Sequence, residues 1–303
     1  MNDVGETTKM NFIFMSDSHY GRREGEQADY LQWGRLLARA ARQAYGGSTE
    51  TIGSTGGREH RLLVLGGDLV NKADRQEEWD MFFKAGGEVL RSMRVITATG
   101  NKGKTRAVSY EDRFDLPANG PAGNERRFYS CDYGCCHFLV LDSNQMGPAG
   151  SDQVQTLQEW IRSDLNGSCQ PVVFVIMHHP MVTMGTSPED EERAAFMRRT
   201  YLPLLEDGGA DMILCGHQHL YSRSRVLGAP AGGDPGLIQL MSVSGTKYFD
   251  GWDLSQMEIV CEYVSTATIF HVGQKGIRLK TIDPEGKVLD ELERPLRPKN
   301  GRR

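Results

Sequence analysis

The sequence predicts an α/β layered domain, and three observations carry the prediction. Short apolar runs of strand length, most of them rich in Val and Ile, recur through the first two thirds of the chain. Amphipathic stretches of helical length lie between them, and such alternation is the pattern of a sheet layered with helices. With 303 residues, 39% of them hydrophobic and 25% charged, the chain has the material for a sizeable core and the composition of an ordinary globular fold.

Taken in order, residues 1–10 read as an N-terminal tail, and the strands are NFIFM (11–15), LLVL (62–65), VITAT (95–99), HFLVL (137–141), VVFVIM (172–177) and MILC (212–215). The helices are 29–44, with Leu31, Leu36, Leu37 and Ala40 on one side, then 75–93, 151–165 and about 187–205. The last begins with a capping hydroxyl at Ser187, a proline at the first helical position and Asp190 three residues on. After about residue 236 only strand-like runs remain, LIQLMSVSG, TATIFHV and GIRLKTI, read as extra strands completing a sheet within the same domain. The domain is expected over 11–293, with a solvated loop around 46–59 and a basic tail over 294–303.

Composition excludes several classes. Lys plus Arg is 35 against 40 Asp plus Glu, a net of -5, so no nucleic-acid partner is expected. No run approaches the ~20 apolar residues of a spanning helix, so no membrane is expected either. The acidic and polar start lacks a secretory pattern, which makes the cytoplasm the default location, and export the expectation if the native N-terminus is longer. Six cysteines are read as free buried thiols of a reducing compartment. A zinc site at Cys131, Cys135, Cys136 and His137 is disfavoured, because adjacent strand residues face opposite ways.

The chemistry lies at the strand ends. NFIFM runs into Asp17 and His19, LLVL into Gly67-Asp68, VITAT into Gly100-Asn101, VVFVIM into His178-His179, and MILC into Gly216-His217-Gln218-His219. Ligands of α/β sheets bind beyond the carboxyl ends of the strands, so these blocks are expected to converge. Each has a plain competitor, a turn-forming Asp or a tight-turn Gly. Five such blocks together point to a metal site, and carboxylate, imidazole and amide oxygen suit Zn, Mn or Fe.

The order Asp-x-His, Gly-Asp, Gly-Asn, His, Gly-His-x-His resembles the calcineurin-like metallophosphoesterases. RRFYSCDYGCCHFLVLDS, QTLQEWIRSDL, RTYLPLLEDGGADMILCGHQHLYSR and SGTKY are similar to the purple-acid-phosphatase-like branch, so that the likeness extends from about residue 11 to 293. The resemblance implies a four-layer β-sandwich flanked by helices, with a dinuclear metal site at the strand ends. It implies that Asp17, His19 and His219 hold one ion, that Asn101, His178 and His217 hold the second, and that Asp68 bridges them. The implied activity is hydrolysis of a phosphate mono- or diester, of a small molecule or a protein, by a metal-bridged hydroxide.

Two departures qualify that implication. The tyrosine ligand of true purple acid phosphatases, three residues after the bridging aspartate, is replaced by Asn71, so no purple colour is expected and His19 takes that ligand place. The family's Gly-Asn-His block reads Gly100-Asn101-Lys102 here. Lys102 is then either a weak stand-in for the missing acid or a solvated surface lysine. The competing reading of the whole chain is a module that binds metal or a phosphate ligand without turnover. Of the other histidines, His179 is expected to pack or support the site, and His60, His137 and His271 to be structural. Arg223, beside Tyr221, is read as either a phosphate contact or a structural ion pair.

Overall fold

The structure, a computed structural model, describes residues 9–21, 27–46, 61–103, 110–148, 150–185, 187–228, 234–249, 253–273 and 275–297. Most of the two expected tails, His60 and nearly all of the 46–59 loop lie outside the described residues. The strands are β1 (Lys9–Met15), β2 (Leu62–Leu65), β3 (Arg94–Thr97), β4 (Tyr129–Tyr133), β5 (Cys136–Val140), β6 (Val172–Ile176), β7 (Met212–Cys215), β8 (Tyr221–Ser224), β9 (Ile238–Met241), β10 (Met257–Cys261), β11 (Ala267–Gly273), β12 (Gly276–Ile282) and β13 (Val288–Arg294). The helices are α1 (Gln27–Tyr45), α2 (Gln76–Arg91), α3 (Ser151–Gly167), α4 (Pro188–Thr200) and α5 (Leu202–Asp207).

The strands form two sheets, six in the order β13-β12-β11-β1-β2-β3 and seven in the order β10-β8-β9-β7-β6-β5-β4. β1, β2 and β3 run parallel in the first, and β5, β6, β7 and β9 run parallel in the second. Strands buried on both faces read as continuous apolar runs, which is why LLVL and VVFVI carry no alternation. The inner faces meet through phenylalanines. Phe12 of β1 stacks on Phe270 of β11 at 4.4 Å and meets Phe174 and Phe138 of the other sheet edge-on at 4.9 and 5.4 Å. All four rings are fully buried, each contributing about 1.5–3 kcal/mol by leaving water. Outside the first sheet, Trp33 of α1 packs on Phe82 of α2 at 4.8 Å. Outside the second, Leu157, Ile161 and Leu165 of α3 and Met197 of α4 cover Val173, Val175 and Ile213.

Polar ties close the open sides of the sandwich. On one side the Tyr129 hydroxyl of β4 accepts from Thr97 N and donates to Thr97 O of edge strand β3, both at 2.9 Å. On the other, Arg223 of β8 grips Asp290 of β13 through Nε at 2.8 Å and Nη2 at 3.0 Å, and Tyr221 donates to the same carboxylate at 2.7 Å. Arg223 is thus the structural ion pair and not a phosphate contact.

The structure departs from the sequence reading at four places. The late strands do not complete one sheet: β9 and β10 join the second, and β11, β12 and β13 join the first. The 187–205 helix is two helices, because Pro203 lacks the N–H that would continue α4; its start is as expected, with Ser187 Oγ accepting from Asp190 N. Helix 75–93 is interrupted at Gly87 (φ 52, ψ -141), a backbone that glycine adopts readily. Cysteine burial holds for Cys136 and Cys215 but fails for the exposed Cys169, and all six thiols are free. No helix among the described residues is long and apolar enough to cross a membrane.

His137 and His271 are structural, His271 through a 2.8 Å bond to Asn11. His137 is clamped by Asp132 at 2.7 Å and Asp164 at 2.8 Å, joining β4, β5 and α3. Burial alone would lower its pKa, but the hydrogen bonds to Asp164 and Asp132 outweigh burial and raise it. A raised folded value means that the clamp stabilises fully below the unfolded ~6.5 and fades as pH rises through the folded value. His137→Gln is therefore expected to cost about 1.5–3 kcal/mol near pH 6 and progressively less as pH rises through the raised folded value, read from paired thermal melts across pH.

Candidate metal centre

The site is built from turns that the backbone resists. Asp17 (φ 51), His19 (φ 47), Asp68 (φ 48), His217 (φ 78) and His219 (φ 55) all lie in the left-handed region, and among the described residues only Tyr263 joins them outside glycine. Each such residue costs about 1–2 kcal/mol, and strain of this kind gathers where a site over-determines the backbone. The turns lock one another: Asp17 N donates to Gly67 O at 3.0 Å, His19 N to Asp68 O at 3.1 Å, and Gly216 N to His178 O at 3.0 Å. Two glycines permit the approach. A Cβ on Gly100 would lie 2.0 Å from Asp68 Oδ1, and one on Gly216 would lie 1.9 Å from Asp17 Oδ2.

Each carboxylate has one oxygen anchored and one turned inward. Asp17 Oδ2 accepts from Ser16 Oγ at 2.6 Å and from His217 N at 2.9 Å. Its Oδ1 has no hydrogen bond and lies 3.4 Å from His19 Nε2 and 3.3 Å from His219 Nε2. Asp68 Oδ1 accepts from Lys102 N at 2.8 Å, while Oδ2 is 3.5 Å from both His19 Nε2 and His178 Nε2. Two imidazoles are aimed from behind: His178 Nδ1 donates to Gly66 O at 2.9 Å and His219 Nδ1 to Lys247 O at 3.0 Å, an arrangement that fixes the tautomer and presents Nε2 to a ligand.

Asp17, Asp68, His19, His178 and His219 are almost wholly buried. Burial would raise the Asp17 carboxyl, but the His178 charge and the His19 and His219 rings beside it hold it well below the usual range. Asp68 is likewise lowered against burial, by His178 and His19. His178 is lifted to about 9, the charges of Asp68 and Asp17 overcoming its burial. His219 is pushed down to about 4, chiefly by burial, and stays neutral.

The donor set fits cations. The Asn101 side-chain amide lies 2.6 Å from Asp68 Oδ2 and 3.3 Å from His178 Nε2. His19 Nε2 and His219 Nε2 approach to 2.9 Å. Oxygens and nitrogens gathered this closely, with Asp17 Oδ1 left without a hydrogen bond, suit ions of the Zn, Mn or Fe type. Among the described residues, three groups have ligand atoms mutually within 4.8 Å: Asp17, His19 and His219; Asp17, Asp68 and His178; and His179, Asp190 and His217.

The third group was not foreseen. His217 sits beside His178, ring centroids 5.2 Å apart, yet its Nε2 faces Asp190 Oδ2 at 3.1 Å, and it groups with Asp190 and His179 and not with Asp68 and His178. Asp190 reads in sequence only as an acid in the first turn of a helix. His179 is buried, bonded to Ser143 Oγ at 2.8 Å and 4.4 Å from the His217 ring, a supporting neighbour as expected. Two further neighbours were unread: Phe249 stacks on His219 at 4.6 Å, and the Lys247 ammonium lies over Phe249 at 4.8 Å. Lys102 is half-exposed on the 3-10 turn Asn101–Gly103.

The family model for calcineurin-like phosphoesterases matches residues 10–221. Purple acid phosphatase 22 of Arabidopsis thaliana is 26% identical over 185 residues, covering 57% of this chain and 41% of that protein; the chain thus spans well under half of this curated relative. In fold, the chain resembles purple acid phosphatase PPD1 from yellow lupin (TM-score 0.68, 15% identity, 95% of this chain and 54% of that one). It also resembles GAP50, described as the anchor in the inner membrane complex of Plasmodium (TM-score 0.64, 14% identity, 97% of this chain and 90% of that one).

Two outcomes test the geometry. Because His178 holds a proton up to about pH 9, an ion binding its Nε2 must displace that proton. Metal uptake at pH 7 is expected to release about one proton from this ring, and apparent affinity to rise about tenfold per pH unit until it levels near 9, as measured with an indicator dye and zinc titrations. Gly216→Ala is expected to cost about 1–3 kcal/mol by overpacking and to abolish metal uptake at the Asp17 group, as read from melts and metal stoichiometry.

Proposed function

Because the chain belongs to the calcineurin-like phosphoesterase family, we propose that it hydrolyses a phosphate mono- or diester at a centre of two metal ions. The observation that carries the reading is Asp68 Oδ2, one inward oxygen shared between His19 and His178 at 3.5 Å each. In this reading Asp17, His19 and His219 hold the first ion, Asn101, His178 and His217 the second, and Asp68 bridges. When bound, such a pair supplies an activated water and neutralises charge on the phosphoryl oxygens.

The chain's own residues do the rest. Ser16 and the His217 N–H fix the Asp17 carboxylate, and the Lys102 N–H fixes that of Asp68, so both inward oxygens are aimed before any ligand arrives. Asp190 holds His217 from outside, as Gly66 O holds His178. Lys102 follows Asn101 directly, on the turn anchored to Asp68, and its ammonium donates a proton or hydrogen bond to the leaving oxygen. An ammonium on a flexible stem replaces a rigid imidazole there, and general acid catalysis is worth ~10²–10⁴ in rate, so turnover is slow. With Asn71 in place of a tyrosine, Zn, Mn and Fe all suit the set. The substrate is a small-molecule or protein phosphate ester.

The residue at 102 also favours a second reading, a module that binds metal or a phosphate ligand without turnover. Hydrolysis of nitrophenyl phosphate and bis(nitrophenyl) phosphate with Mn, Zn or Fe separates the two. Wild type is expected to turn over slowly and only with metal, Lys102→His to be about 10–100-fold faster, and Asp68→Asn to be inactive. If neither wild type nor Lys102→His turns over while both bind two ions, the enzyme reading falls.

A further inference from the structure

Where edge strands β3 and β4 approach one another, the surface opens into a cavity of about 600 Å³. Arg94 and Tyr133, which line it, stand at the start of β3 and the end of β4, whereas Asn101 follows the other end of β3. Asn101 stands seven positions beyond Arg94 along and past β3, roughly 20 Å at strand rise, so this hollow lies away from the metal centre.

Its chemistry is unlike that of the site described above. Arg91, Arg94 and Arg113 share the lining with the aromatic rings of Phe83, Phe114 and Tyr133, and among the described residues Asp115 is the single lining carboxylate. Arg91 is paired with Glu88 at 2.5 Å, and Arg113 lies over the Trp79 ring at 5.5 Å. Among the described residues, neither Arg94 nor Arg113 has a carboxylate partner within ion-pair distance. Guanidinium groups gathered at one concavity repel one another until an anion enters, and their planar forks match phosphate or carboxylate oxygens two at a time. Phe83 and Phe114, ring centroids 5.9 Å apart, add aromatic surface against which a flat ring can pack. The volume falls within the ~300–1,000 Å³ of small-molecule sites.

We infer that this cavity binds a small aromatic anion of nucleoside-monophosphate size, its ring against Phe83 and Phe114 and its charged group on Arg94 and Arg113. The inference does not depend on the reading of the metal centre.

The test is calorimetric titration of the full chain, with and without two equivalents of zinc, using phenylphosphonate, which has no ester bond to hydrolyse, and methylphosphonate, which has no ring. A site for phenylphosphonate is expected in both forms, at least tenfold weaker for methylphosphonate. Arg94→Gln and Arg113→Gln should each weaken it at least fivefold. Asp115→Asn should tighten it, a gain that misfolding cannot imitate, and Asp68→Asn should leave it unchanged. No saturable binding, binding that requires zinc, or affinity indifferent to Arg94, Arg113 and Asp115 would overturn the inference.

Discussion

Left-handed backbone at Asp17, His19, Asp68, His217 and His219 is the constraint on which the rest of this molecule depends. A strand that simply ran on would carry these side chains past one another; a strand that reverses in one residue turns them inward. The reversal is unfavourable for any residue with a Cβ, so it needs a rigid frame. Phe12, Phe138, Phe174 and Phe270 supply that frame where the two sheets meet. The core is therefore part of the site: it holds five costly turns in register so that oxygen and nitrogen atoms face a common space.

The same crowding sets the electrostatics. The chain carries a net charge of -5, yet that total says little about a buried cluster in which two carboxylates stay ionised because imidazoles stand beside them. His178 and His219 share one environment and respond oppositely, the former lifted by Asp68 and Asp17, the latter lowered by burial. One ring holds a proton and the other offers a free lone pair, so the cluster without ions is a compact balance of charge that arriving cations rearrange rather than create.

Much of this was legible in the sequence, for a definite reason. Metal-capable residues after apolar runs are visible as letters, and the rule that strand ends converge does the rest. What escaped was whatever depends on a partner distant in the chain. Asp190 looks like a helix-start acid until His217 is seen beside it. The polar strand Tyr221–Ser224 has no apolar pattern because Asp290, far along the chain, satisfies Tyr221 and Arg223. The late strands show their type but not which sheet they enter, since β-propensity carries no address. The left-handed turns were hidden too, because Asp and His stand where glycine would have announced them.

The pairing of β1 with β11 has a consequence in time. Strand β1 has one neighbour, β2, close behind it in the chain, while the other, Ala267–Gly273, emerges more than two hundred and fifty residues later. Contacts so separated in sequence are slow to form, and an unpaired apolar edge stays exposed until they do. All five strand-end blocks have been made by residue 219, but Phe12 lacks its stacking partner until Phe270 has been added. A growing chain thus carries all five metal-capable blocks before it has the frame to hold them, and the moment of greatest vulnerability to aggregation or to a mis-set ion falls in that interval.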